Sequence, residues 1–232
     1  MIITKENIFK EINKGNYLEV LKSDLVDKVK DDFGNTPLHE LAYAGVKDIL
    51  DHPSVDKVKD NLGRTPLHFL AQKGVKEVLD HPSVDKVKDN HGETPFHVLA
   101  DRGVKEILSH PSVDKVKENL GRTPLHFLAQ KGVKEVLDHP SVDKVKDNKG
   151  RTPLHGLADR GVKEILNHPS VDLVKSNIGR TPLHKLANWG HLTKEDLRKK
   201  YPWYKKEIKD LEEAVDEIVD TPTSVRFILE DS

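Results

Sequence analysis

The chain has 232 residues and a formal net charge of −1, although 33% of its residues are charged. That balance lacks the one-sided basic excess of a nucleic-acid binder, and interspersed signs read as a solvated surface. There is no cysteine, which excludes a disulfide framework and a thiolate zinc site. No apolar run is long enough to cross a membrane, so no membrane partner is expected.

At the start, Met1-Ile2-Ile3 runs straight into Thr4-Lys5-Glu6. No signal-peptide pattern is expected, and the default compartment is cytoplasmic. Thr4 is predicted to cap a helix over Lys5 to Lys14 that ends at Gly15. Then comes Thr36-Pro37-Leu38-His39, which recurs from Thr65, Thr94, Thr123, Thr152 and Thr181, each 29 residues after the last, with Phe96 replacing Leu in the third copy. A fixed period of this size predicts a stacked-repeat architecture. Counting back one period from Thr36 lands on Asn7, without Thr, Pro or His. Tyr17, Val20 and Leu21 nevertheless fall in phase with Val46, Ile49 and Leu50. Residues 1–35 therefore read as a degenerate N-terminal cap, which an array needs because its end repeat must face water.

Within one period, Thr65 suits an N-cap and Pro66 the first helical position. Leu67, Leu70 and Ala71 share a helical face, and Gly74 supplies a left-handed stop. Val75, Val78 and Leu79 predict a short second helix, ended or bent at His81-Pro82. Val84 and Val87 carry the chain along, and Asp89 to Gly92 form a turn. A longer period overlies this one, because Asn61 to Asn90 recurs unchanged as Asn119 to Asn148.

The pattern Asp60-x-x-Gly63-x-Thr65-Pro66-Leu67-His68-x-Leu70-Ala71-x-x-Gly74 resembles the ankyrin repeat, over roughly residues 7 to 190. The resemblance implies an all-α solenoid of stacked helix-turn-helix repeats joined by β-turn loops, with no enzymatic activity. It also implies that the box Thr and His hydrogen-bond each other and adjacent loops. Typical ankyrin repeats run ~33 residues, and aligning the boxes puts the four missing residues in the second helix.

After Gly190 the pattern stops, dividing the chain into an array, 1–190, and a helical C-terminal cap or extension, 191–232. Thr193 and Asp196 make a capping-box start for a short helix. Tyr201-Pro202-Trp203-Tyr204 interrupts it. Ile208, Leu211, Val215, Ile218 and Val219 form an apolar stripe, so a helix is expected over 205–219, ending at Thr221-Pro222. Val225, Phe227, Ile228 and Leu229 are ambiguous between strand and helix.

Thirteen histidines raise a metal reading. Neighbours in one ladder lie about one repeat apart, roughly 10 Å, too far to share an ion bound at about 2.0–2.1 Å. No metal or other cofactor is expected. No nucleophile elbow, P-loop, metalloprotease or dinucleotide motif is present, so no catalytic residue is assigned and the chain reads as a non-enzyme. Repeated pairs such as Asp85-Lys86 and Lys88-Asp89 read as a solvated face.

The positions that vary within the repeating frame are free to carry specificity. At the loop tips these are Phe33, Leu62, His91, Leu120, Lys149 and Ile178. Two residues on come Asn35, Arg64, Glu93, Arg122, Arg151 and Arg180. Directly after the box stand Glu40, Phe69, Val98, Phe127, Gly156 and Lys185. First-helix ends carry Tyr43-Ala44, Gln72-Lys73, Asp101-Arg102, Gln130-Lys131, Asp159-Arg160 and Asn188-Trp189. In ankyrin proteins loop tips and first-helix ends line a concave binding face. The expectation is a protein-interaction scaffold, a monomer, that binds another protein through the tip and helix-end residues. Competing readings are a spacer or designed, consensus-like scaffold without a native partner, and binding through the C-terminal helix.

Helices this short do not persist alone in water, so stability must come from interfaces between repeats. A peptide spanning Thr65 to Glu93 should show a coil spectrum by circular dichroism. A helical, cooperatively melting single repeat would contradict this.

Overall fold

The computed structural model describes residues 2–222 together with 225 and 226. The chain divides into two units, Met1–Asn119 and Leu120–Ser232. In the first unit, α1 (Ile8–Asn13) and α2 (Tyr17–Leu21) precede α3 (Pro37–Tyr43), α4 (Pro66–Gln72) and α5 (Pro95–Asp101). The second unit holds α6 (Pro124–Gln130), α7 (Pro153–Asp159), α8 (Pro182–Asn188), α9 (Lys194–Lys200) and α10 (Leu211–Asp220). Among the described residues there is no strand.

The box writes the start of each first helix. Thr65 is extended at the N-cap, with ψ of 165°, and Pro66 opens the helix. His68 takes the N3 place usually held by Glu or Gln in a capping box. The helix stops where Gly74 turns to φ +74°, a conformation that costs an L side chain about 1–2 kcal/mol. Leu67, Leu70, Ala71 and Val78 are fully buried, and the same positions form the core in each boxed repeat up to Ile165.

The second helix differs from an ankyrin-type α-helix. It is a five-residue 3-10 helix, Lys47–Asp51 after α3 and Lys76–Asp80 after α4, with equivalents at Lys105–Ser109, Lys134–Asp138 and Lys163–Asn167. Five residues span about 10 Å at the 3-10 rise and only about 7.5 Å at the α rise. The tighter winding partly makes up the length lost with four residues. Each ends at its pre-proline histidine. His81 is extended, and its Nδ1 accepts the Ser83 N–H at 3.1 Å.

The termini depart from expectation. Thr4 does not cap α1. Asn7 is its N-cap, and the Asn7 side chain instead accepts the Thr4 N–H at 2.7 Å. At the other end, the helix expected over 205–219 begins only at Leu211, because the Asp210 carboxylate caps the Glu212 and Glu213 amides. Ile208 is buried without being helical. Thr193 and Asp196 form the expected capping box of α9. Phe227, Ile228 and Leu229 lie outside the described residues.

In four of the boxes one imidazole links the box to the following repeat. The Thr65 N–H points at His68 Nδ1, 3.0 Å away, and His68 Nε2 lies 3.1 Å from the Glu93 carbonyl. A backbone N–H can only donate and a carbonyl can only accept. The ring is therefore the neutral Nε2–H tautomer. His39 makes the same bridge to Arg64, and in the second unit His126 and His155 bridge to Arg151 and Arg180. Burial of the His39, His68 and His155 rings penalises the imidazolium. It pushes His68 and His155 down to about 4, against a weaker upward pull from the carbonyl each ring bonds.

Two predictions follow from these local geometries. In the unfolded chain His68 and His155 take up a proton near 6.5, and in the native state only near 4. Between those values the unfolded form binds more protons, so stability is full above pH 6.5 and falls as pH drops toward 4. The urea midpoint should therefore decline from pH 7 to pH 4.5. A flat midpoint would mean the rings protonate in place. Separately, a Cβ on Gly63 (φ +77°) would overlap the Asn90 side chain and lie 3.0 Å from its backbone nitrogen, whereas one on Gly74 meets nothing within 4 Å. Gly63→Ala should cost about 2–4 kcal/mol and Gly74→Ala about 1–2 kcal/mol. Equal losses in denaturant melts would contradict the packing argument.

Candidate functional site

Four of the six loops are folded by their own aspartate, with Glu118 and Ser176 standing at that position in the other two. Asp60 Oδ1 accepts the Leu62 and Arg64 amides at 3.0 and 2.8 Å, and Gly63 takes the left-handed position. Asp31, Asp89 and Asp147 do the same. Successive loops are then clamped by backbone. In the first unit Asn61 N–H donates to Phe33 O, Asn90 to Leu62 O and Asn119 to His91 O, at 2.9–3.0 Å. In the second, Asn148 donates to Leu120 O and Asn177 to Lys149 O, both at 2.9 Å. Asn61, Asn90 and Asn177 repeat the contact with the side-chain amide, each to a carbonyl one residue earlier.

This clamp sets the tip residues in a row within each unit, one rung apart. Phe33, Leu62 and His91 form the row of the first, and Leu120, Lys149 and Ile178 that of the second, and all six are exposed. Phe33 is 73% exposed, Leu62 50%, Leu120 58% and Ile178 83%, values that burial in the stack would not leave.

The positions two residues on are half-buried and already engaged. Arg64 donates from Nε to Asp60, stacks 4.5 Å from the Phe69 centroid and offers its carbonyl to His39. Arg151 pairs with Asp147, Arg122 lies over Phe127, and Arg180 reaches Asp216 on α10 at 3.4 Å. Asn35 bonds Asp31, and the Glu93 carbonyl accepts from His68. These residues build the loop as well as facing outward, a double role that the variable-position argument did not foresee.

Of the positions directly after the box, Phe69 and Phe127 are buried, Phe69 lying edge-on to the His39 ring at 5.4 Å. At the first-helix ends, Gln72, Lys73, Asp101, Arg102, Lys131, Arg160 and Trp189 are exposed, while Gln130 and Asp159 are half-buried. Lys73 sits 3.7 Å from the Tyr43 ring centroid, Arg160 Nε bonds the Gln130 carbonyl, and Trp189 Nε1 donates to Asp159 at 3.2 Å.

Of the pairs read as a solvated face, Lys86 and Lys88 are exposed as expected, whereas Asp85 and Asp89 are half-buried and engaged. Asp27, Asp56 and Asp85 accept the hydroxyls of Ser54, Ser83 and Ser112 across repeats at 2.6 Å, and Asp143 accepts that of Ser170. Lys30, Lys59 and Lys88 reach the carbonyls of Lys59, Lys88 and Lys117. Asp89 holds its turn. A Ser spaced 27 residues after each Asp was the available sequence signal. Among the described residues no group of three or more His, Cys, Asp and Glu could hold a metal ion.

No protein-family model and no curated protein matches the sequence. Solved structures do. The ankyrin repeat domain of Bcl-3, described as a unique member of the IkappaB protein family, aligns with a TM-score of 0.57 at 18% identity, covering 76% of this chain and 91% of that one. At that identity the likeness speaks for the fold, and with the geometry above it is plain: this chain has the ankyrin-repeat solenoid fold, built from a 29-residue repeat.

Proposed function

We propose that the chain is a protein-interaction scaffold whose loop tips and first-helix ends dock a partner non-covalently, with residues 1–190 as the array and 191–232 as its cover. The observation that supports this most is the row of apolar tips held open to solvent on backbone-clamped loops. A preformed surface loses little conformational entropy on docking. Apolar residues flanked by arginines also fit the usual composition of an interface core.

The reading that places binding on the C-terminal helix has less support. The apolar side of α10 is turned inward, with Ala214, Val215 and Ile218 buried, and the helix packs on α8. What it leaves outside is acidic and polar.

Affinity capture with the whole chain, compared with Leu62→Asp, Leu120→Asp and Ile178→Asp, tests the proposal. Each substituted side chain is exposed, so melting temperatures should stay within a few degrees. Captured protein should fall by about tenfold or more with at least one variant. Undiminished capture by all three would remove the tips from the interface.

A further inference from the structure

The two units carry different charge on the proposed face. In the first, Arg64, Lys73 and Arg102 are set against Glu93 and Asp101. In the second, Arg122, Lys131, Lys149, Arg151, Arg160 and Arg180 face Asp159 as the one acid of the set. The excess gathers at a groove of about 310 Å³ between the loop around Lys149 and the loop around Ile178. Lys149, Arg151, Arg180 and Lys185 line it, and no carboxylate does.

The carboxylates that accompany these cations are not in the groove lining. Asp147, almost wholly buried, holds Arg151. Asp216 meets Arg180 at 3.4 Å and Asp159 meets Lys185 at 3.2 Å. Such pairs fix the cations in place while leaving donors over, since a guanidinium has five and an ammonium three. Lys149 has no carboxylate partner among the described residues. Ile178, at 83% exposure, adds an apolar wall.

The loop ladder also ends here. Asn148 and Lys149 give their carbonyls to Asn177, but no amide among the described residues reaches the carbonyls of Asn177 and Ile178. A Cβ on Gly179 would meet nothing within 4 Å, whereas one on Gly150 would collide with Asn177. No described residue pairs with the last rung's backbone on its far side.

We infer that this groove takes an extended acidic peptide segment of a partner protein, with a Glu or Asp side chain set against Lys149 and its cationic neighbours, an apolar side chain on Ile178, and a backbone N–H given to the open carbonyls. The inference rests on the protein-interaction reading and adds the partner's chemistry to it. A nucleic-acid strand matches the cations but has no backbone donor for the carbonyls and gains little from Ile178.

The test is selection from a random peptide display library of about twelve residues on the full chain, followed by fluorescence anisotropy of the enriched peptides. Enriched sequences should place an acidic residue within about three positions of an apolar one. Lys149→Glu and Ile178→Asp should each weaken binding about tenfold, as should raising NaCl from about 50 to 500 mM. Leu18→Asp, at an exposed residue of α2 outside the proposed face, should leave it within about twofold. Amide shifts on binding should centre on Gly150 and Gly179. No enrichment, enrichment without acidic residues, indifference to Lys149→Glu, or tighter binding of a single-stranded oligonucleotide than of any peptide would each overturn the inference. Capture that still depends on the tip residues would, in that case, leave the broader scaffold reading standing.

Discussion

The structure depends on a neutral imidazole bonded at both ends. Each box histidine closes the N-terminus of its own helix through Nδ1. Where the bridge is described, it reaches through Nε2 to a carbonyl 25 residues on. Apolar burial supplies most of the drive to stack, but it is non-directional. The imidazole supplies direction, because only one tautomer and one register satisfy both bonds away from water. A ring displaced from this position would leave a buried carbonyl and a buried amide unpaired, a loss larger than that of one exposed hydrogen bond.

The C-terminal segment is explained by the same requirement. The last repeat has no following loop, so side chains stand in for it. Asp216 of α10 meets His184 Nε2 at 2.8 Å, where earlier boxes find a carbonyl. Tyr201 gives its hydroxyl to the buried Asp172 at 2.8 Å, where earlier repeats offer a serine, and Arg226 joins it. Asp196 receives Lys163 in place of a glutamate, and Asp220 receives Lys175 in place of a carbonyl. Four cross-repeat valences are thus met by a helical segment with no repeat sequence. Among the described residues the tips Phe33, Leu62, Leu120 and Ile178 stay exposed.

Much of this was legible in the sequence because it is local. Thr, Pro, His and Gly each impose a backbone conformation within a few residues, so the period, the caps and the buried face could be read directly. What could not be read depends on contacts between repeats. The second helix winds as 3-10 because five residues must span a distance set by the neighbouring layer. Asp85 and Lys88 look solvated until Ser112 and the Lys117 carbonyl are brought beside them. Arg64 and Arg151 were expected outside and are half inside, because the aspartate that folds each turn also holds the guanidinium. The start of α10 was misplaced because apolar spacing alone does not distinguish Ile208, buried in an irregular stretch, from the helix that follows.

Polar ladders between repeats, and not only the apolar core, hold the array. Native-state amide hydrogen exchange tests this most directly at Asn61, Asn90, Asn148 and Asn177, which are exposed residues in loops. If the ladder holds, their amides should exchange about as slowly as those in the middle of α4 and α7, and all should open together. Exchange at the rate of an unstructured loop, with the helices still protected, would show that the loops contribute nothing to the stack.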